Sequence, residues 1–160
     1  GIAIDQKIHA GPHSIAGEWG HITLGWMSAE EYPGEDCFCG KRGCLETFVS
    51  GTGFENEYER QTGTRISGHE IIKLIEQGDD TAEKVMRTYE NRLARAIATV
   101  VNFFDPDVLV LGGGMSNISR IYQNLPVLIV DWVFGNEFTT PIRPAKHGDS
   151  SGVRGAAWLW

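Results

Sequence analysis

Only three of the 160 residues are cysteine, and all three lie between positions 37 and 44. So small and odd a number excludes a disulfide-stapled scaffold, because any pairing leaves one thiol over and the two members of a Cys-x-Cys pair are badly placed to bridge each other. Basic residues are scarce too: 14 Lys and Arg stand against 21 Asp and Glu, for a net charge of −7. That balance argues against nucleic acid as a partner, since phosphate-tracking surfaces carry a basic face that releases counterions. The most apolar stretch, residues 125–130, meets Asp131 far short of the roughly 20 apolar residues that a bilayer span needs. No signal-peptide pattern opens the chain. The expectation is a protein of the reducing cytoplasm with small-molecule rather than membrane partners.

What the chain does contain is 41% hydrophobic residues, 20 glycines and five tryptophans, enough for one compact core. The cysteines fall in Cys37-Phe38-Cys39-Gly40-Lys41-Arg42-Gly43-Cys44, with Gly17-Glu18-Trp19-Gly20-His21 upstream. Glycines between close thiols let the backbone fold back so that thiolates converge on one borderline-soft cation, and zinc is the usual one. Three sulfurs leave one tetrahedral position. His21 is the first choice to fill it, with His9, His13, His69 and His147 as rivals, and free structural thiols are the alternative to a metal site. Glu18 and Glu46 flank the motif on opposite sides, so a metal there would draw two carboxylates toward one cleft. Carboxylates accept charge-assisted hydrogen bonds from the neighbouring hydroxyls of a polyol, although both could equally be solvated loop residues.

The rest reads as α/β. Residues 1–10 alternate like a strand around a turn-like centre, and the chain opens on Gly1 without methionine, so a fragment is expected, with strand partners partly before residue 1. Residues 11–45 form a Gly- and Pro-punctuated loop, and 46–60 a short helix. Ser67-Gly68-His69-Glu70 opens a capped helix ending near Gly78, and a longer helix runs from about Thr81 to Phe104. Residues 107–111 read as a parallel strand covered on both faces. It empties into Gly112-Gly113-Gly114, bare backbone at the position where open α/β sheets bind ligands, so a nucleotide site and a plain tight turn are equally open readings there. Helix resumes near Asn117 and again after Pro126, residues 142–146 read as a last strand, and 153–160 as a terminal helix.

Taken in order, Gly17-Glu18-Trp19-Gly20-His21, Cys37-x-Cys39-Gly40-x-x-Gly43-Cys44-Leu45-Glu46 and Leu111-Gly112-Gly113-Gly114-Met115 resemble the ROK family (repressors, open reading frames and kinases), most closely its bacterial fructokinases. The resemblance covers essentially the whole chain. It implies an actin-like ATPase (ribonuclease H-like) fold with an inserted zinc loop, and phosphoryl transfer from ATP with Mg2+ to the 6-hydroxyl of a hexose, fructose first and mannose next. His21, Cys37, Cys39 and Cys44 match the zinc ligands. Glu18, His21 and Glu46 match sugar contacts, and Gly112, Gly113 and Gly114 the nucleotide turn. A homodimer is an open option. The family's Asp-x-Gly-Gly-Thr phosphate loop and the aspartate base of its Asn-Asp pair have no counterpart here. The resemblance therefore implies that residues 1–160 are the C-terminal domain, with the N-terminal domain and the base upstream. A sugar-responsive repressor, a glucokinase and an N-acetylmannosamine kinase are the alternative readings.

Overall fold

A computed structural model describes residues 1–152, and the helix expected over 153–160 lies outside them. The chain opens with a hairpin of β1 (Ile2–Ile4) and β2 (Lys7–His9), in which Ile2 faces His9 and Ile4 faces Lys7. Asp5 and Gln6 turn it with φ of 50° and 63°, the mirror-image turn that suits strand twist. Within the described residues the two strands pair with each other.

After the long loop, the helix expected over 46–60 is two helices, α1 (Glu46–Val49) and α2 (Gly51–Thr62). Ser50 breaks them apart. Its backbone is extended, and its hydroxyl accepts a 3.0 Å hydrogen bond from the Gly53 N–H, capping α2. Gly53 is glycine because a side chain there would begin 2.6 Å from the Thr47 carbonyl oxygen. The two short helices can therefore fold tightly at a corner.

Helix α3 (Gly68–Glu76) begins with the expected capping box: Ser67 accepts from the Glu70 N–H, and Glu70 accepts from the Ser67 N–H at 2.9 Å. Helix α4 (Asp80–Phe104) starts at Asp79, whose carboxylate caps Ala82 at 2.7 Å, and stops where Asp105 turns left-handed. It is the spine of the molecule, with α2, α3 and α5 (Ser119–Ile129) all packed on it. Phe54, Ile71, Met86, Leu125 and Ile129 meet there with essentially no exposed surface. Truncating one of them to alanine costs about 2 to 5 kcal/mol.

Two expectations for the C-terminal part are corrected. Strand β3 (Leu109–Leu111) pairs in parallel with β4 (Ile142–Pro144), but Val108 and Val110 are exposed, so the described residues do not cover the strand on both faces. Pro126 lies inside α5 rather than opening a new helix. Leu125 and Ile129, buried on either side of it, hold that turn in place despite the missing N–H. Among the described residues, no helix is long and apolar enough to cross a membrane.

Candidate functional site

The loop between β2 and α1 has little core of its own, so hydrogen bonds shape it. Residues 19–21 make one 3-10 turn, closed by His21 N–H to the Glu18 carbonyl at 3.3 Å and Ile22 N–H to the Trp19 carbonyl at 3.1 Å. The cysteine segment doubles back on itself, with Cys37 N–H on Lys41 O at 2.8 Å and Gly40 N–H on Cys37 O at 2.9 Å. It is then sewn to the turn by Leu45 N–H on Ile22 O at 2.9 Å and Leu24 N–H on Gly43 O at 3.2 Å. Beneath it Leu24, Leu45, Phe48 and Ala96 form a small second core, and Trp19 packs against both cores.

This folding brings four ligand atoms together. His21, Cys37, Cys39 and Cys44 each offer one atom, all within 4.8 Å of one another, and theirs is the one such group among the described residues. Cys37 Sγ lies 3.6 Å from His21 Nδ1, and Cys39 Sγ lies 3.6 Å from Cys44 Sγ. Zinc–sulfur bonds of about 2.3 Å in a tetrahedron give edges of about 3.8 Å, so the spacing suits that ion. His9, His13, His69 and His147 are not part of the group. The other imidazole nitrogen, Nε2, faces Glu46 Oε2 at 3.8 Å, the carboxylate position that orients a ligating histidine.

The thiols do not ionise alike. Burial, reinforced by the two neighbouring sulfurs, pushes Cys44 up to about 12, whereas a backbone hydrogen bond from Lys41 leads in drawing Cys39 down to about 7. Packed negative sulfurs repel one another, and only a cation among them lets all three be thiolates at neutral pH. The donor set therefore fits a dication with sulfur affinity.

Glu18 and Glu46 border the same turn. Glu18 is the exposed residue leading into it, and Glu46 Oε2 sits 3.1 Å from where a side chain on Gly20 would begin. The glycine run lies elsewhere, at the end of β3 as expected. It is followed by a 3-10 turn (Gly114–Asn117), not directly by an α-helix. Gly113 has φ 78° and ψ 173°, and side chains built at Gly112, Gly113 or Gly114 would meet nothing within 4 Å. These glycines line a cavity of about 810 Å³ together with Trp19, Ser50, Gly51, His69 and Met115. Glu18, His21 and Glu46 do not line it; Trp19, the first residue of the turn and next to Glu18, is the link.

Two features had only weak signals in the sequence. The cavity wall at Ser50-Gly51 is announced only by a Ser-Gly-Thr-Gly cap sequence inside an expected helix. The ion pairs of Arg92 and Arg95 are hidden because α4 is buried at every position from 92 to 98, where periodicity carries no information.

The ROK family model matches residues 1–160, the whole chain. The chain belongs to the ROK family. It is 38% identical to an N-acetyl-D-glucosamine kinase of Haemophilus influenzae (strain 86-028NP), aligning over all of this chain and 54% of the relative. The chain thus spans about half the length of the curated relatives it matches. Its fold is that of the crystal structure of a ROK family glucokinase from Streptomyces griseus in complex with glucose and AMPPNP. That likeness has a TM-score of 0.81 and 25% identity, over 98% of this chain and 55% of that one. A ROK family transcriptional regulator, a homolog of the E. coli MLC protein, superposes with a TM-score of 0.72 and 26% identity, over 90% of this chain and 38% of that one. The actin-like ATPase fold expected from the sequence is supported by these structures. The matched shares leave the expected C-terminal placement without support, and the curated relative is not a fructokinase, so fructose as first acceptor is withdrawn.

Proposed function

We propose that this chain is the sugar- and metal-bearing part of an ATP-dependent kinase whose acceptor is N-acetyl-D-glucosamine or a closely related aldohexose. One observation carries the reading: the Cys3His group, with Glu46 facing the free nitrogen of its histidine, shares a single turn with Trp19, two residues before His21 and a wall of the cavity that the glycine run opens. The relatives supply the acceptor class.

In this reading His21, Cys37, Cys39 and Cys44 hold a zinc ion. Four protein ligands leave no open position, so what the ion supplies is a fixed loop rather than Lewis-acid chemistry. Glu46 and Glu18 accept hydrogen bonds from sugar hydroxyls, and the backbone at Gly112, Gly113 and Gly114 lets ATP, with its Mg2+, approach. Transfer is then a matter of placing the hydroxyl oxygen in line with the γ-phosphorus. The new P–O bond forms as the bond to ADP breaks, and the hydroxyl proton goes to the aspartate that the family resemblance expects outside these 160 residues.

The test uses the full-length protein purified without added metal. Zinc is expected at one per chain by elemental analysis. ADP release is expected with N-acetyl-D-glucosamine at a higher kcat/KM than with N-acetylmannosamine, glucose, mannose or fructose. A preference for fructose would overturn the acceptor, and a protein free of zinc would overturn the metal site. Zinc without turnover on any hexose would favour the regulator reading, which the likeness to the MLC homolog keeps as the second candidate.

A further inference from the structure

Between the ligands His21 and Cys37 lie residues 22–36, a stretch with a single buried apolar side chain, Leu24. Such a segment has little core to fix its path: Leu24 and Met27 join the small second core, and Trp26 packs on Trp132. Its outer bend is held instead by one carboxylate. Glu31 Oε1 accepts from Arg92 Nε at 2.8 Å and Arg95 Nη2 at 2.6 Å, and Oε2 accepts from Arg95 Nη1 at 2.8 Å and the Ser28 N–H at 3.0 Å. Arg95 Nη1 also donates to Trp26 O at 2.7 Å and Gly25 O at 3.3 Å. The guanidinium of Arg95 thus reads three residues of the loop at once. The side chains of Glu31, Arg92 and Arg95 are all at most 9% exposed, where a missing partner would leave a charge stranded.

Arg92 also reaches the ground beneath the metal group. Arg92 donates to Glu57 Oε2 of α2 at 2.6 Å and stacks 5.1 Å over the Phe48 ring of α1, the helix that carries Glu46. Arg92 therefore connects the spine α4 with the loop on one side and with α1 and α2 on the other, while Arg95 serves the loop side alone. The loop ends are tied down separately, by Leu45 N–H on Ile22 O and Gly43 N–H on Glu35 O at 3.0 Å.

We infer that Glu31, gripped by Arg92 and Arg95, is a positioning residue that sets the separation of His21 from Cys37 and so governs how tightly the four-ligand group retains its metal. This rests on the metal reading above. Glu31 touches none of the ligands. It acts by fixing the path of the chain between two of them, as outer-shell partners of metal sites do.

The experiment follows zinc release to a chromophoric chelator from three full-length proteins, with their melting temperatures measured in parallel. Glu31→Gln keeps the shape and one acceptor oxygen but removes the charge and turns the other acceptor into a donor facing N–H groups, and zinc release is expected to quicken about tenfold. Glu90→Gln removes the buried carboxylate that holds Arg120 of α5 on the other flank of α4, without touching the loop or the arginines that grip it. It is expected to lower the melting temperature to a similar degree while releasing zinc at the wild-type rate. Equal release from both variants, or wild-type release from Glu31→Gln, would overturn the proposal, because the ion pairs would then be merely structural. Should Glu31→Gln not fold, Arg95→Lys keeps the charge and loses the fork to Gly25 and Trp26, and faster release from it is the expected result. Zinc missing from the wild type would instead defeat the metal reading itself, so the two failures are distinguishable.

Discussion

At the scale of single residues, the glycine run separates two effects that glycine usually confounds. Gly113 needs its positive φ, while Gly112 and Gly114 have ordinary φ, and all three face open space. Gly112→Ala adds a methyl group without backbone strain, so any loss of ATP affinity in the full-length protein reports a ligand in the cleft. Gly113→Ala adds strain of about 1 to 2 kcal/mol as well. The expected outcome is weaker ATP binding in both, measured by calorimetry, with a lower melting temperature only for Gly113→Ala. Unchanged affinity in Gly112→Ala would mean the glycines are a turn and nothing more. The metal group was legible at this scale because spacing alone brings its sulfurs together. Glu31 was not, since only folding puts it beside residues 61 and 64 positions away.

At the scale of elements, local chemistry was readable wherever side chain and backbone settle the matter between themselves. Ser67 and Glu70 fix the start of α3 by reciprocal hydrogen bonds, and the sequence placed that helix well. Ser67→Ala removes the acceptor for the Glu70 N–H and should cost about 1 kcal/mol, seen as a lower urea midpoint with an unchanged slope. A larger loss would mean that the start of α3 also serves the cavity, which Ser67 lines. What sequence misplaced were elements decided by tertiary contacts. Pro126 reads as a helix start, yet the buried Leu125 and Ile129 carry α5 straight through it. Residues 46–60 read as one helix because the packing of Gly53 on Thr47 is invisible in a linear pattern.

At the scale of the whole molecule, two charged clasps hang the periphery on α4. Glu31 takes Arg92 and Arg95 from the loop side. On the other flank Arg120 of α5 donates to Glu83 at 2.7 Å and Glu90 at 2.9 Å. Burial opposes ionisation of Glu31, but the hydrogen bonds from Arg95 and Arg92 outweigh it and hold the carboxyl at about 2. Arg120 and then Arg87 bring Glu83 to about 2 as well. Both folded-state values lie below the ordinary 4.5, so the stability they confer is complete above that value and drains away as pH falls from about 4.5 toward 2. Melting temperatures measured from pH 7 to pH 3 should be nearly level and then drop below about pH 4.5. A level profile down to pH 3 would show that neither clasp carries stability.

The corner at Ser50 ties the two halves of the proposed site into one mechanical part. From Cys44 the chain runs into α1, turns once, and reaches Gly51, whose absent side chain would lie 3.9 Å from Met115 beside the glycine run. The contact of Gly53 with Thr47 and the bond from the Tyr89 hydroxyl to the Val49 carbonyl, 3.1 Å long, brace that corner from two sides. It has the layout of a bell crank, with the sulfurs on one arm and the cavity wall on the other. Anything that steadies Cys44 is therefore expected to steady the cavity wall at Gly51 as well.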